Sequence, residues 1–318
     1  MSIIAFDLGG TKLSHAVFSC KGEIVIEDSA FLPPEKGKEV GSFIERTARH
    51  LIEQLTPTDP VTGIGICVPG IYRSQEKTVW APNIPGWDNY PLWDQISQID
   101  PNIETQIDSD RACCILGEVW KGNAQGCTDA IFMTVGTGIG AGILSGGQII
   151  RGASDIAGAI GWMALEPPFK DEYIQCGCYE QTASGEGIAK TARKFLRVAA
   201  GTNSLLHQID SGNIRAQHVF DAYKKGDPIA TAVISKLIQY WGMASANLVS
   251  IFNPQKIIFG GGVFGPASQL IDEIYTEASL WAQPLSIKEA VFEKSGLDGK
   301  AGIYGAAALV RKGRNRDS

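Results

Sequence analysis

Apolar residues along the chain recur with two spacings, which separate strands from helices. Short apolar runs bounded by turn residues predict strands at residues 3–6, 13–18, 23–27, 61–68 and 103–107. Apolar residues three or four positions apart predict helices at residues 39–55 and 110–121. The Lys21-Gly22 pair between two of the strands is typical of a hairpin. This alternation of strands and helices predicts an α/β protein.

A second module with the same kind of pattern begins near residue 130. Strands are predicted at 130–135 and 256–259, and a glycine-rich turn at 136–142 leads into a hairpin at 141–150. Asp227 and Pro228 have N-cap and first-turn character and open the longest predicted helix, which Asn253-Pro254 ends. Further helices are predicted after Gly262 and at 302–311.

Strand, glycine turn and hairpin therefore occur twice, at residues 3–27 and 130–150. A chain of 318 residues is long enough for two domains. We predict a smaller domain of residues 1–112 plus 302–318 and a larger domain of residues 113–301. Two such halves facing each other would form a cleft with a glycine turn on each side.

Composition narrows the class of protein. The hydrophobic share of 44% and the charged share of 19% are those of a globular protein, and the net charge of −6 argues against a nucleic-acid partner. No apolar run approaches membrane-spanning length, and the first residues enter a strand instead of forming a signal peptide. Together with seven cysteines, which fit a reducing compartment, these features predict a cytoplasmic protein without a membrane partner.

The first glycine turn has the composition of a phosphate-binding loop. Gly9 and Gly10 allow backbone amides to approach an anion, and Thr11 and Lys12 follow them. Asp7 ends the preceding strand, where a carboxylate could hold Mg²⁺ directly or through water. An ordinary tight turn with a capping Asp is the alternative. The spacing of a Walker P-loop is missing.

Two later glycine runs also follow strands. The run 136–142, which includes Thr137 and Gly138, resembles a dinucleotide fingerprint, but a hairpin follows it where that fingerprint needs a helix. A second phosphate-binding hairpin is the better interpretation. The run Gly260–Gly262 could admit a planar base or ribose close to the backbone, and a bare turn is the alternative.

These three loops in this order resemble the ROK family of sugar kinases and related repressors. The resemblance extends from Asp7 to Leu309, and its most specific matches are residues 7–12, 137–142 with Gly146-Gly147, and 151–153 leading to Ala157-Gly158. It implies an actin-like (ribonuclease H-like) two-domain ATPase fold with a cleft between the domains, and ATP with Mg²⁺ as cofactors. It also implies that the first two loops cradle the ATP phosphates, while Gly261 and Gly262 border the adenosine.

Asp110 is the candidate catalytic residue. Phosphoryl transfer to an alcohol needs an acceptor for the hydroxyl proton, and a carboxylate at a helix start is held ionised by the helix dipole. A plain N-cap role is the alternative. Similar kinases carry an Asn-Asp pair here with Asp as the base, whereas this chain has Ser109 in place of the Asn. One sugar-hydroxyl contact is therefore altered.

Other residues are candidates for the sugar site. Asn83 lies in a Pro82–Trp87 segment that resembles the part of the family closing on the sugar, and the turn at Gly70 could approach the ring. For Asn83, an Asx turn within its own loop is the alternative. Glu180 matches a family Glu that reaches towards the anomeric end of the sugar.

The chain departs from the family after Gly158. Ala159 and Trp162 stand where typical members have a Glu and a His that grip sugar hydroxyls. Trp162 could stack on a sugar or an aglycone, or it could belong to the core. That His also serves the family's zinc site, and only Cys176 and Cys178 remain of its cysteine array, so we expect no structural zinc.

We therefore expect an ATP-dependent sugar kinase that acts on a glycoside, an amino sugar or another modified hexose in preference to plain glucose. A catalytically silent sugar-binding regulator of the same family is the alternative. A kinase that phosphorylates a carboxylate is a third reading, and the alignment of Asp110 argues against it because that reaction needs no base. A homodimer is expected only by analogy with similar proteins.

Overall fold

The computed structural model describes residues 1–35, 37–55, 59–199 and 201–314. Residues 315–318 of the predicted smaller domain thus lie outside the described residues. The strands are β1 Ser2–Leu8, β2 Lys12–Phe18, β3 Ile24–Phe31, β4 Val61–Val68, β5 Ile71–Arg73, β6 Thr78–Trp80, β7 Glu104–Ser109, β8 Ala130–Val135, β9 Ile139–Ser145, β10 Gln148–Ile149, β11 Lys256–Gly260 and β12 Val291–Lys294.

The α-helices are α1 Lys38–Leu55, α2 Leu92–Ser97, α3 Asp110–Lys121, α4 Cys178–Ala183, α5 Gly185–Val198, α6 Ala216–Lys224, α7 Pro228–Phe252, α8 Ile271–Trp281, α9 Ser286–Glu289 and α10 Ala301–Arg314. Short 3₁₀ helices lie at Ile160–Trp162, Asp171–Tyr173, Leu205–Gln208, Ser211–Asn213, Gly262–Phe264 and Pro266–Leu270. Within the described ranges, no helix is both long enough and apolar enough to cross a membrane.

The chain forms two compact units. The first unit comprises Met1–Gly126, Ile149–Ala157 and Gly296–Ser318, and the second comprises Cys127–Gln148 and Gly158–Ser295. The sequence placed domain limits at 112 and 302. The compact units change instead at 126 and 296, and the first unit also includes residues 149–157 from within the predicted larger domain. The limits differ because α3 packs closely along α10, so close that a Cβ atom at Gly305 would lie 1.7 Å from the Cys113 carbonyl oxygen.

The first unit contains a five-stranded sheet in the order β3-β2-β1-β4-β7. The β1–β2 and β2–β3 pairs are antiparallel, whereas β1–β4 and β4–β7 are parallel. Alternate side chains of β1 point to opposite faces of the sheet. Those on one face pack in a core with α1, and those on the other face pack in a core with α10. Because parallel strands end at the same edge, β1, β4 and β7 bring their carboxyl ends together.

The second unit repeats this sheet in the order β10-β9-β8-β11-β12. Here β8 and β9 form the antiparallel pair, and β8–β11 and β11–β12 are parallel. Each strand of this sheet thus has a counterpart in the first. The structure confirms the predicted repeat as one of sheet topology.

Two local predictions need correction in the second unit. The glycine-rich turn was predicted to reach Gly142, but β9 begins at Ile139, because Ile139 to Gly142 already pair with β8. The turn is therefore limited to residues 136–138. After Gly262, the chain forms two short 3₁₀ helices before α8 begins at Ile271.

Candidate functional site

The carboxyl edge of the first sheet collects three of the predicted site residues. Asp7 lies opposite Cys67 on β4, just before the turn that contains Gly70. Ser109 lies opposite Val68, so the first residue of α3, Asp110, emerges beside that turn. Asp7, Gly70 and Asp110 therefore lie at the ends of three neighbouring parallel strands.

The Asp7 carboxylate lies in surroundings with little solvent. Burial raises its pKa above the ordinary value, and a hydrogen bond with the Cys67 thiol partly opposes this. Helix α10 approaches so closely that a Cβ atom at Gly302 would lie 2.6 Å from Asp7 Oδ2. Carboxylate oxygens are ligands that Mg²⁺ prefers, and a cation would relieve the desolvation of this one. Asp7 fits the predicted role of a magnesium ligand.

The first glycine turn is closed by its own backbone. The Gly9 N–H donates to the Lys12 carbonyl oxygen at 2.8 Å, which leaves the side chains of Thr11 and Lys12 exposed. A Cβ atom at Gly10 would lie 3.7 Å from the Cβ atom of Asn83. The structure thus brings the predicted phosphate loop and the predicted sugar residue together within the first unit.

Asn83 itself is exposed, and its side chain forms no hydrogen bond with the rest of the chain as far as the structure describes it. Its loop is held instead by backbone bonds, among them Ala81 N–H to the Trp87 carbonyl at 2.8 Å. The alternative of an Asx turn therefore does not describe this residue.

Ser109 and Asp110 have different hydrogen-bond partners at the start of α3. Ser109 is the N-cap, and its hydroxyl accepts from the Ala112 N–H at 3.4 Å. Asp110 is the first helical residue, and its Oδ1 accepts from the adjacent Arg111 N–H at 2.8 Å. Since Ser109 caps the helix, the N-cap alternative does not account for Asp110.

Burial raises the pKa of Asp110 to about 6. The charge and the N–H of Arg111 oppose this rise, and the charge of Asp7 adds to it. A carboxylate with such a pKa is ionised at neutral pH and remains basic enough to accept a proton.

Several polar contacts within the first unit were missed from the sequence. The Arg151 Nε donates to buried Asp108 Oδ2 at 3.1 Å, and the Ser74 N–H donates to Asp155 Oδ2 at 2.9 Å. The guanidinium of Arg111 contacts further backbone carbonyls. These partners lie tens of residues apart, so no local spacing marks them. The only sequence signal was the family match at residues 151–158.

The second glycine turn lies at the end of β8 in the second unit. Gly136 N–H donates to the Gly138 carbonyl at 2.9 Å, and Thr137 at its tip is exposed. The Gly136 carbonyl accepts from the N–H of Gly185, the first residue of α5, at 2.8 Å. A helix start therefore supports the predicted phosphate hairpin directly.

Glu180 lies against this hairpin. Its Oε2 accepts from the Ile139 N–H at 2.6 Å, and a Cβ atom at Gly138 would lie 2.8 Å from the same oxygen. Burial raises the pKa of Glu180, against the opposing effects of the Ile139 N–H and Lys190. The predicted sugar residue thus also braces the predicted phosphate turn.

The third glycine run ends β11 next to the end of β8. Gly261 has a φ of +84°, and a Cβ atom there would lie 2.4 Å from the Val135 carbonyl oxygen. At Gly262, a Cβ atom would meet nothing within 4 Å, and the residue is exposed. Gly261 and Gly262 therefore share one edge of the second sheet with Thr137 and Gly138.

Trp162 is 57% exposed at the end of a 3₁₀ helix, so it is not a core residue. The neighbouring Gly177 packs on its backbone, with a Cβ site 2.4 Å from Trp162 Cα. Cys176 donates to Gln181 Oε1 at 3.3 Å. Among the described residues, no three His, Cys, Asp or Glu side chains are placed to hold a metal. The expected lack of structural zinc stays a prediction.

The site residues fall into two groups by unit. The first unit holds Asp7, Gly9, Gly10, Thr11, Lys12, Gly70, Asn83, Ser109 and Asp110, and the second holds Thr137, Gly138, Trp162, Glu180, Gly261 and Gly262. Each group lies at or near the carboxyl edge of one of two sheets with the same strand order.

A family model described as the ROK family matches residues 3–313. The chain belongs to the ROK family. Among its relatives, the glucokinase of Halalkalibacterium halodurans is 31% identical, over 98% of this chain and 96% of that protein. The xylose repressor of Caldicellulosiruptor bescii is 30% identical, over 97% of this chain and 78% of the repressor.

A solved structure supports the same assignment. The ROK family glucokinase from Streptomyces griseus, in complex with glucose and AMPPNP, is similar with a TM-score of 0.77 and 28% identity. The match covers 98% of this chain and 100% of that one. The predicted actin-like α/β ATPase fold is confirmed.

Proposed function

We propose that this ROK protein is a sugar kinase that transfers the γ-phosphate of ATP to a hydroxyl of a hexose or hexose derivative. The observation that carries the proposal is the placement of Asp110. Its carboxylate stands at the carboxyl edge of the first sheet, near Asp7 and Gly70, and it is not used as the helix cap. The kinases among the relatives support the same reaction class.

Asp110 acts as the general base in this proposal. Its carboxylate orients the attacking hydroxyl and accepts the hydroxyl proton as the oxygen forms its bond to phosphorus. With a pKa of about 6, it is ionised near neutral pH. The Ser109 hydroxyl accepts a hydrogen bond from the Ala112 N–H at the start of α3, which fixes the direction of the first turn.

Each of the two glycine turns offers groups that can bind a phosphate. Thr11 and Lys12 present a hydroxyl and an ammonium from the first turn, and Thr137 and Gly138 present a hydroxyl and backbone from the second. Gly261 and Gly262 form the surface for the adenosine. Asp7 would hold Mg²⁺, which when bound neutralises charge on the phosphates.

The sugar is a derivative, such as a glycoside or an amino sugar, in preference to plain glucose. Asn83, Gly70 and Glu180 supply polar contacts, whereas Ala159 brings no hydrogen-bonding side chain. Exposed Trp162 offers an aromatic face to an apolar substituent or to a sugar ring. This pattern favours a substrate with an additional group over a bare hexose.

A coupled assay of ADP formation with ATP, Mg²⁺ and a panel of hexoses, amino sugars and glycosides tests the proposal. We expect at least one sugar to be phosphorylated, with kcat/KM highest for a derivative. Asp110→Asn should lower kcat by about 10²-fold or more, since it removes the base. Unchanged sugar-dependent ADP formation in this variant would exclude the mechanism, and free glucose as the best substrate would exclude the substrate class.

A sugar-binding regulator without catalysis is the second candidate, and the similarity to a xylose repressor favours it. For such a protein, calorimetry would detect sugar binding while ADP formation stays at background with every sugar. The Asp110→Asn variant would then differ from the wild type in no kinetic assay. These outcomes separate the two candidates.

A further inference from the structure

Arg111 connects three backbone carbonyls at the carboxyl edge of the first sheet. Its Nη1 donates to Ile156 at 3.1 Å and to Ala157 at 3.2 Å, and its Nη2 donates to Gly70 at 3.3 Å. Gly70 lies in the turn after β4, whereas the other two acceptors belong to the segment 149–157. One side chain from α3 thus ties together two segments distant in the chain.

The segment 149–157 has two further attachments within the first unit. Arg151 pairs with buried Asp108 on β7, and Asp155 accepts from the backbone and the hydroxyl of Ser74. Of the three residues that hold this segment, Arg111 is the one adjacent in sequence to the proposed base, Asp110. A planar guanidinium donates in fixed directions, so three carbonyls around it define one orientation.

Arg111 also acts on Asp110 directly. Its backbone N–H donates to Asp110 Oδ1 at 2.8 Å. Against the burial that raises the pKa of Asp110, the positive charge of Arg111 is the largest opposing effect. Asp7 on β1 raises this pKa further, and Cys113 and Cys114 on α3 are the neighbouring thiols.

We propose that Arg111 is a positioning residue for phosphoryl transfer, which holds the Gly70 turn and the 149–157 segment around the first turn of α3 and so fixes the Asp110 carboxylate. This inference rests on the proposed kinase function. Arg111 acts through Asp110 and Gly70, without touching the sugar. Lysine could keep the charge but not the three directed hydrogen bonds.

The test compares Arg111→Lys, Arg111→Met and a matched control, Ser74→Ala, which removes a hydroxyl contact to the same segment without changing charge. The pH dependence of kcat/KM is measured for each. We expect Arg111→Lys to lose about 10- to 100-fold in kcat while the acid-side pKa of the profile stays near 6. Arg111→Met should lose kcat and also move that pKa upwards by about 1 unit or more. Ser74→Ala should stay within about twofold in kcat, with an unshifted profile.

A second measurement is independent of turnover. Carboxyl ¹³C NMR titration, with the Asp110 signal assigned by its loss in Asp110→Asn, should show the same upward shift in Arg111→Met. If Arg111→Met does not fold, the kcat of Arg111→Lys tests the proposal. A kcat equal to that of the wild type in Arg111→Lys overturns the proposal. An equal loss of kcat in Ser74→Ala, or an unmoved pKa in Arg111→Met, likewise overturns it. If the wild type phosphorylates no sugar, the kinase function fails, and the NMR shift alone supports or overturns the effect of Arg111 on the carboxylate.

Discussion

Glu180 contacts a part of the molecule other than the one that its resemblance to the family suggests. The resemblance assigns it to the sugar, yet its Oε2 accepts from the Ile139 N–H and lies against Gly138. Because backbone N–H groups left without an acceptor cost about 1–3 kcal/mol, this contact stabilises the turn. We infer that Glu180 acts on the nucleotide side as well.

Glu180→Ala is therefore expected to raise the KM for ATP about tenfold, in addition to the rise in the sugar KM that the loss of its proposed sugar contact causes. The reason is that the β8–β9 turn, with Thr137 and Gly138, loses its brace. Initial rates with each substrate varied in turn measure this. Glu186→Ala, an exposed neighbour on α5, serves as the control. A rise in the sugar KM alone would instead assign Glu180 to the sugar.

The raised pKa of Asp110 has a consequence for stability. In the fold it is about 6, above the ordinary value of 3.8, so the ionised form is disfavoured there. The ionised carboxylate thus lowers the unfolding free energy above pH 6, and this loss vanishes as the pH falls below 3.8.

We expect Asp110→Asn to exceed the wild type in unfolding free energy by about 2 kcal/mol at pH 8. The difference should shrink as the pH falls and be nearly gone at pH 3, since the wild-type carboxyl is then largely neutral in both states. Urea unfolding at the two pH values measures it. Exposed Asp171→Asn should show no such trend. A difference that grows towards low pH would contradict the assignment.

At the scale of elements, glycines determine how α10 packs in the first unit. A Cβ atom at Gly65 on β4 would lie 1.8 Å from the Ala306 carbonyl oxygen, and one at Gly117 on α3 would lie 2.2 Å from that of Ala301. These contacts place the start of α10 against Asp7, where Gly302 again has no room for a side chain. Close packing of this helix therefore shapes the proposed magnesium site.

Gly305→Ala tests this packing, because its Cβ atom would lie 1.7 Å from the Cys113 carbonyl oxygen. We expect the unfolding free energy to fall by about 3 kcal/mol or more, as backbone must move to admit the methyl group. Urea unfolding followed by circular dichroism measures the change. Gly201→Ala, where a Cβ atom meets nothing within 4 Å, should remain within about 0.5 kcal/mol of the wild type. Equal stability of the two variants would contradict the close approach.

Local signals predicted other elements well. Asp227 caps α7 through the Ala230 N–H at 2.8 Å, Pro228 is its first residue, and Asn253 ends it with a φ of 46°. The predicted bounds of β4 and α3 agree with the structure. Each of these depends on residues a few positions apart. The turn after β8 was predicted too long because glycine content alone does not distinguish a turn from a glycine-rich strand pairing.

At the scale of the whole molecule, part of the proposed nucleotide site belongs to a different unit from the proposed base. Thr137, Gly138 and the Gly261-Gly262 pair belong to the second unit, whereas Asp110 belongs to the first. A change at Asp110 should therefore abolish transfer without abolishing nucleotide binding.

We expect Mg²⁺–AMPPNP to raise the thermal unfolding midpoint of the wild type and of Asp110→Asn by similar amounts. At a ligand concentration of about 100 times Kd, binding contributes about 2.7 kcal/mol. Differential scanning fluorimetry with and without nucleotide measures this, and the same concentration of Mg²⁺ alone is the control. No shift in either protein would contradict the proposed nucleotide site.

The sequence alone determined the alternation of strands and helices, the repeat at residues 3–27 and 130–150, and the glycine turns, because short-range spacing encodes them. Only the tertiary structure decided which polar groups meet: Arg151 with Asp108, Arg111 with the Gly70 carbonyl, and Glu180 with the Ile139 N–H. Two of these partners are backbone groups, which almost every residue carries, so no side-chain pattern marks them. Sheet order and the close approach of α10 bring such groups together, and both depend on the packing of the whole chain.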